Sequence, residues 1–314
     1  MKKGVLVLLI LAMFISCNNH EKMDKGENIK ETVQLESYPG LDIPTKSQFS
    51  TVSQKLGVSN VSIGYFRPNV NDRNVWGEVV EWDSVWRAGA ESSTVFEIEK
   101  DVYVGKSESI LPKGKYSFFI IPKQNTAWEV VFNKDNSLYG TSGYDSKKDV
   151  LRLKVNPVSS SEFFETMTFM FDEVKDFDLN IKFGWADKSF EFPIRIDEST
   201  VWDEFNQYFK SKSIPDSIKS KYYLKVANFC VFTNDTLKAE ECLSLVDKSI
   251  DKKPDDFNAY IVKSELLALL MDYESAVVYA KKAHSIGSKS RKMPLEVANH
   301  LEENITKYQT LTKL

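Results

Sequence analysis

"LPKGKYSFFIIPKQNTAWEVVFNKD", Leu111 to Asp135, decides the fold class. Pro112 and Gly114 make a turn, a run of aromatic and β-branched residues follows, and Pro122 ends it. "AWEVVFNKD" then offers a second strand. Runs of the same kind flank this pair. "VSIGYF" alternates, with Val61, Ile63 and Tyr65 on one side. "TVFEIEK", "DVYVG", "VLRLKV", "ETMTFMF", "FDLNIKFGW" and "SFEFPIRI" continue the pattern, separated by Gly, Pro, Asn, Asp or Lys. About nine such strands predict an antiparallel β-sandwich or a jelly-roll-like domain over residues 47–197.

Near Thr200 the period changes. "VWDEFNQYFKSK" spaces Val201, Phe205 and Phe209 by fours, one face of a helix, and a helical domain is predicted over residues 198–314. The fold class is therefore α+β, a β-domain followed by an all-α one. The helical part repeats itself at about 34 residues, the tetratricopeptide period. That shift lays Cys230 on Ser264, Cys242 on Ala276 and Ser249 on Ala283, small residue on small residue. Pro254 stands where such a repeat closes. Two degenerate units fall short of a free solenoid, so these helices are expected to lean on their neighbours or on the β-domain. The alignment places Cys230 and Cys242 where paired helices touch. Two readings are open there: a disulfide in an oxidising compartment, or two small buried thiols.

The opening "MKKGVLVLLILAMFISC" has Lys2 and Lys3, a short apolar run and then Ser16-Cys17. It reads as a signal peptide, residues 1–17, with an apolar run too short to span a bilayer comfortably. Cys17 after a small residue resembles a bacterial lipobox, which makes it the expected lipid-modified residue. Residues 18–46 are polar and without period, and read as a tether. The expected location is the bacterial cell envelope, membrane-anchored through Cys17. The formal charge of -4 leaves no electrostatic footprint for nucleic acid. Cleavage before Cys17 removes two lysines and makes the chain more acidic still.

The three histidines are His20, His284 and His300, so the β-domain has none. A Ser-His-Asp triad or a His-ligated zinc site within it is excluded. No phosphate-binding loop, GxSxG, HExxH or EF-hand spacing occurs, and no cofactor or metal is expected. Glu78, Glu81, Asp83, Glu91, Asp145 and Asp149 supply carboxylates for glycoside hydrolysis, but no spacing singles out a pair. "YDSKKD", Tyr144 to Asp149, has oxygens for calcium and reads more simply as a loop of solvated charges. The densest stretch is Tyr65 to Thr94, with Arg67, Arg73, Arg87, Trp76, Trp82 and Trp86. Aromatics beside Arg and acids suit sugar stacking or carboxylate binding, and equally suit a core whose Arg ties down a loop.

This stretch also carries a resemblance. Tyr65-Phe66-Arg67-Pro68, Arg73 and Gly77, Val85-Trp86-Arg87-Ala88-Gly89-Ala90, Pro112, Gly114, Tyr116 and Ser117 come in order. Trp128 and Asn133, then Tyr144 and Asp149, complete the set. In order and spacing residues 47–196 resemble a bacterial family known as domain of unknown function 2911. Asp72 and Glu91 depart from it, standing where the family usually has Gly and Asn. The resemblance implies a secreted or lipid-anchored setting and a helical tail. It implies no activity and transfers no catalytic residue. If the family's pocket takes an anion, Glu91 beside Arg87 implies that this member binds it less well or takes something else.

The resulting expectation is a non-enzymatic ligand- or partner-binding module. Arg67, Arg87 and Glu91 are its candidate polar anchors, Trp86 and Trp128 its walls, and Asp149 a further ligand contact. A glycan or small anion is the expected ligand, and the C-terminal helices are the expected surface for an envelope protein partner. The alternatives are a carboxylate-dependent carbohydrate-active enzyme and a purely structural envelope protein.

Overall fold

The computed structural model describes residues 44–211, 214–290 and 292–313. The leader with Cys17, and the tether up to residue 43, lie outside the described residues.

Six strands form one antiparallel sheet in the order of the chain: β1 (Gln48–Leu56), β2 (Ser59–Arg67), β3 (Ala90–Ile98), β6 (Gly114–Ile121), β7 (Trp128–Asn133) and β8 (Asp149–Val155). Between β3 and β6 the chain leaves this sheet. It makes the short hairpin β4 (Val102–Val104) and β5 (Ser109–Leu111), which belongs to a second sheet with β9 (Val158–Asp172) and β10 (Asp178–Arg195), ordered β5-β4-β10-β9. The inner faces of both sheets meet in one core that includes Ile63, Phe96, Phe118 and Phe132 from the first and Phe169, Phe183 and Phe192 from the second. This is a β-sandwich.

β6 and β7 pair with Phe118 opposite Phe132. Their apolar runs do not alternate because both faces are covered. Phe118, Ile120, Val130 and Phe132 face the main core, while Phe119, Ile121 and Val131 pack beneath Val85, Leu138 and Tyr144.

Three strand features escaped the sequence pattern. β1, "QFSTVSQKL", is an edge strand with mostly polar residues, so no apolar run announces it. β5 is only three residues long. β10 joins two predicted runs into 18 residues, because register shifts at Gly184/Ala186 and Ala186/Lys188 absorb the apparent break. The bulge leaves Phe183, Gly184, Trp185 and Ala186 all buried in succession.

The hairpin that crosses to the second sheet depends on Gly105. Its φ is +73°, and a Cβ there would collide with Leu153 of β8. Gly105→Ala is expected to destabilise the protein by about 1–3 kcal/mol, measured by urea unfolding. An unchanged midpoint contradicts this account of the turn.

Six helices follow: α1 (Ser199–Ser211), α2 (Asp216–Thr233), α3 (Ala239–Lys252), α4 (Phe257–Leu269), α5 (Tyr273–Ser290) and α6 (Leu295–Leu311). Asn234 caps α2 in the left-handed conformation, and the Asp256 side chain caps the start of α4. α2 and α3 touch at Cys230 and Cys242, which are joined in a disulfide. One period later, α4 and α5 touch at Ser264 and Ala276, where Ser264 Oγ donates to the Ala276 carbonyl at 2.8 Å. No helix among the described residues is long and apolar enough to cross a membrane.

The helices lean on one end of the sandwich. There the Gly57 N–H of the β1–β2 turn donates to the Asp176 carbonyl at 2.9 Å, and Ile196 N–H donates to Phe177 O at 2.9 Å. The Phe177 ring meets Phe229 of α2 edge-on, with centroids 5.8 Å apart. Lys100, after β3, pairs with Glu204 of α1.

Candidate functional site

The tryptophans of the dense stretch turn inward. Trp76 contacts Trp86 at 5.9 Å, Trp128 at 4.6 Å and Trp185 at 5.9 Å between ring centroids. Trp86 stacks on Trp185 at 5.3 Å, and Trp82 meets Trp128 at 6.4 Å. Five of the chain's six Trp thus form one cluster against the core. Trp128 is 1% exposed and its indole N–H donates to the Lys123 carbonyl at 2.9 Å. Trp86 is half-buried, and both rings are interior packing rather than open walls.

Arg67, at the end of β2, is tied across the sandwich. Its Nε donates to the Met167 carbonyl at 2.9 Å and a terminal nitrogen to Thr168 Oγ1 at 2.8 Å. It locks β2 onto β9.

Arg87 behaves differently. Trp86 exchanges backbone hydrogen bonds with Ile120 of β6, and the chain then hooks back into β3. Ala88 (φ +49°) and Glu91 (φ +50°) take the left-handed conformation, and the Thr94 hydroxyl closes the hook on the Ala88 carbonyl at 2.7 Å. Arg87 leaves this hook toward Gly140, where a Cβ would stand 3.0 Å from a guanidinium nitrogen. Its Nε is buried without a hydrogen-bond partner. Glu91 does not fill the gap, for its carboxylate accepts from the Tyr139 hydroxyl at 2.9 Å. That bond, with the charge of Glu91, raises the Tyr139 pKa.

Asp149 sits in a third place. It is nearly buried, and accepts from Asn133 Nδ2 at 2.7 Å, the Tyr144 hydroxyl at 2.8 Å and Arg152 Nε at 2.9 Å. Arg152 also reaches Glu129 at 3.0 Å. Within "YDSKKD" Asp149 is thus held by neighbouring side chains, while Asp145, Lys147 and Lys148 are exposed and Lys148 pairs with Asp135 outside the stretch. Asp145 likewise accepts from the Lys147 N–H, capping the turn Ser146–Lys148. Burial first, then Asp149, pushes the Tyr144 phenol up to about 12. A raised phenol favours the folded state below the ordinary Tyr range, and that contribution is lost as pH rises from about 10 through about 12. Tyr144→Phe should remove one late phenolate step from a spectroscopic alkaline titration. If the titration curve is unchanged, the assignment fails.

The six candidate residues therefore do not line one concavity. The two clefts considered below contain none of them. One lies at the seam where the helices meet the sandwich, with a volume of about 570 Å³. Phe177 from the β9–β10 turn, Phe205, Tyr208 and Phe209 from α1, and Tyr222, Phe229 and Phe232 from α2 line it, with Asp176, Glu204, Lys225 and Asn228 as polar groups. Tyr208 and Tyr222 approach at 4.7 Å between rings. Sequence reasoning missed this place. The available signal was the aromatic crowding of α1 and α2, which reads as an ordinary buried face until the partner surface is known. The other cleft lies between β8 and β10. Among the described residues no group of His, Cys, Asp and Glu could hold a metal ion.

Residues 47–194 match the family model described as "Protein of unknown function (DUF2911)". No curated protein and no solved structure matches the chain. The matched span opens one residue before β1 and closes one residue before the end of β10, so it takes in both sheets and stops short of the helices. This β-sandwich belongs to the DUF2911 family.

Proposed function

We propose that the protein is a binding module of the bacterial envelope, held to the membrane by a lipid on Cys17, whose ligand occupies the seam cleft. The observation that carries this reading is the lining of that cleft: seven aromatic rings around about 570 Å³, with few polar groups. Small-molecule sites have this size and composition and favour junctions between structural units. The ligand class that fits is a small, mostly apolar ring compound with a few polar substituents. Phe232 is 57% exposed on α2 and borders the cleft, so it offers a variant that spares the core. A thermal-shift screen of small cyclic compounds should yield stabilising ligands, and Phe232→Glu should abolish the shift with little change in the melting point of the free protein. Equal shifts in wild type and Phe232→Glu count against the seam. The anchor has its own test: labelled palmitate should enter wild-type protein and fail to enter Cys17→Ala.

A second reading rests on Arg87. A buried guanidinium nitrogen without a partner is costly unless a water or an anion meets it. In this reading Arg87 anchors a carboxylate or phosphate at the Gly140 corner. Arg87→Ala that melts as wild type and loses anion binding supports it. Arg87→Ala that unfolds the domain assigns Arg87 to the structure alone.

A further inference from the structure

The cleft between the two sheets has a chemistry that nothing above assigns. It has a volume of about 880 Å³. Arg152 to Asn156 of β8 and the residue after it form one side, Ser189 to Pro193 of β10 the other, and the turn Gly105–Ser107 lies across one end. Lys106, Lys154 and Lys182 line it, and Glu191 is its one acid. None of these three lysines makes an ion pair among the described residues. Arg152, also on the wall, is already committed to Asp149 and Glu129.

Three unpaired cations against one carboxylate form a positive concavity on a chain whose formal charge is -4. Such a concavity focuses its field on an incoming anion. Lysines also serve to keep edge strands from pairing, and Lys154 on β8 fits that use. Lys182 fits it too, since β10 pairs there with β9 alone and meets β4 only at Ile194 and Arg195; Lys106 does not, for it lies on a turn between β4 and β5 and its charge is left for the cleft.

The remaining lining narrows the ligand. Val158, 57% exposed, and the partly exposed Pro193 contribute apolar surface, and Ser189 and Asn156 contribute neutral polar groups. A bare anion needs neither an apolar floor nor the acceptor that Glu191 offers. A sugar ring bearing a carboxylate or phosphate uses all of them: the anionic group meets the lysines, the hydroxyls meet Glu191, Ser189 and Asn156, and the C–H face meets Val158 and Pro193. We infer that this cleft is a binding site for an anionic saccharide, separate from the seam and independent of what the seam holds.

The test is titration calorimetry on the full chain with four probes: tetragalacturonate, a sugar phosphate, neutral maltotetraose and inorganic phosphate. At least one of the two anionic sugars should bind, more weakly as salt rises, and which one binds tells carboxylate from phosphate. Lys106→Glu combined with Lys182→Glu should lower that affinity ~10-fold or more. Lys106→Glu alone, on an exposed turn, should lower it in the same direction and covers the case in which the double variant does not fold. Three results overturn the inference: neither anionic sugar binds, inorganic phosphate binds as tightly as they do, or Lys106→Glu leaves their affinity unchanged. Maltotetraose binding equally well also overturns it, since the lysines then play no part.

Discussion

Trp128→Ala is expected to cost about 3–5 kcal/mol, enough to leave much of the β-sandwich unfolded at ordinary temperature. Trp128 is 1% exposed and touches Trp76 at 4.6 Å, Trp82 at 6.4 Å and Phe190 at 6.2 Å between ring centroids. Removing it opens a cavity between rings that come from separate parts of the chain. It also leaves the Lys123 carbonyl without its indole donor. Urea unfolding followed by the fluorescence of the remaining Trp residues measures the loss. Trp128→Phe, which refills part of the space, should recover part of the stability. A Trp128→Ala protein that unfolds at the wild-type urea concentration contradicts the core assignment and returns Trp128 to the list of open walls.

Replacing Cys230 and Cys242 together by Ala should lower stability by about 2–4 kcal/mol, the usual range for a cross-link closing a short loop. The two cysteines are 12 residues apart and join α2 to α3. Both sulfurs lie in a buried contact, and Ala fits it, as Ala276 shows at the equivalent place one period on. The loss is therefore expected to come from the missing cross-link rather than from packing. Thermal unfolding monitored by helical circular dichroism should show it, and reducing agent should lower wild-type stability while leaving the Ala pair unaffected. Alkylation of both thiols without prior reduction, together with identical melting of the Ala pair, rules the cross-link out.

The sheet was legible where apolar runs are bounded by turn residues. "KYSFFII" and "WEVVFN" became β6 and β7 because no other element buries so dense a run so cheaply in backbone hydrogen bonds. β1 was not legible, since an edge strand needs only its backbone to join a sheet and its side chains carry no pattern of burial on both faces. The repeat was legible from small residues alone, because close helix contact constrains size more than identity. Cys230 and Cys242 on one pair, Ser264 and Ala276 on the next, satisfy the same constraint with different chemistry.

The candidate site was read from residue types, and residue types do not disclose partners. Arg67 and Arg87 look alike in sequence. One ends on a main-chain carbonyl of a strand a hundred residues away, and the other keeps a nitrogen unmatched. Three Trp within eleven residues, Trp76 to Trp86, suggested a binding wall, but Trp128 and Trp185 arrive from distant strands and close the cluster from within. The seam cleft was beyond reach for the same reason: Gly57, Val58, Asp176 and Phe177 belong to turns that become a wall only when α1 and α2 pack on them.

The lending of β4 and β5 to the second sheet has a consequence for how the chain emerges during synthesis. The six-stranded sheet has all its strands once residue 155 is out, but the hairpin awaiting its sheet partner stays unpaired until Ile194 and Arg195 of β10 arrive. Until β9 and β10 arrive, the inner face with Phe96, Phe118 and Phe132 has nothing to cover it. A nascent or truncated chain that ends before β9 and β10 have formed therefore presents a finished sheet with a bare apolar side, a substrate for chaperones and a seed for aggregation. The last strand to leave the ribosome's shelter is the one that makes the domain soluble.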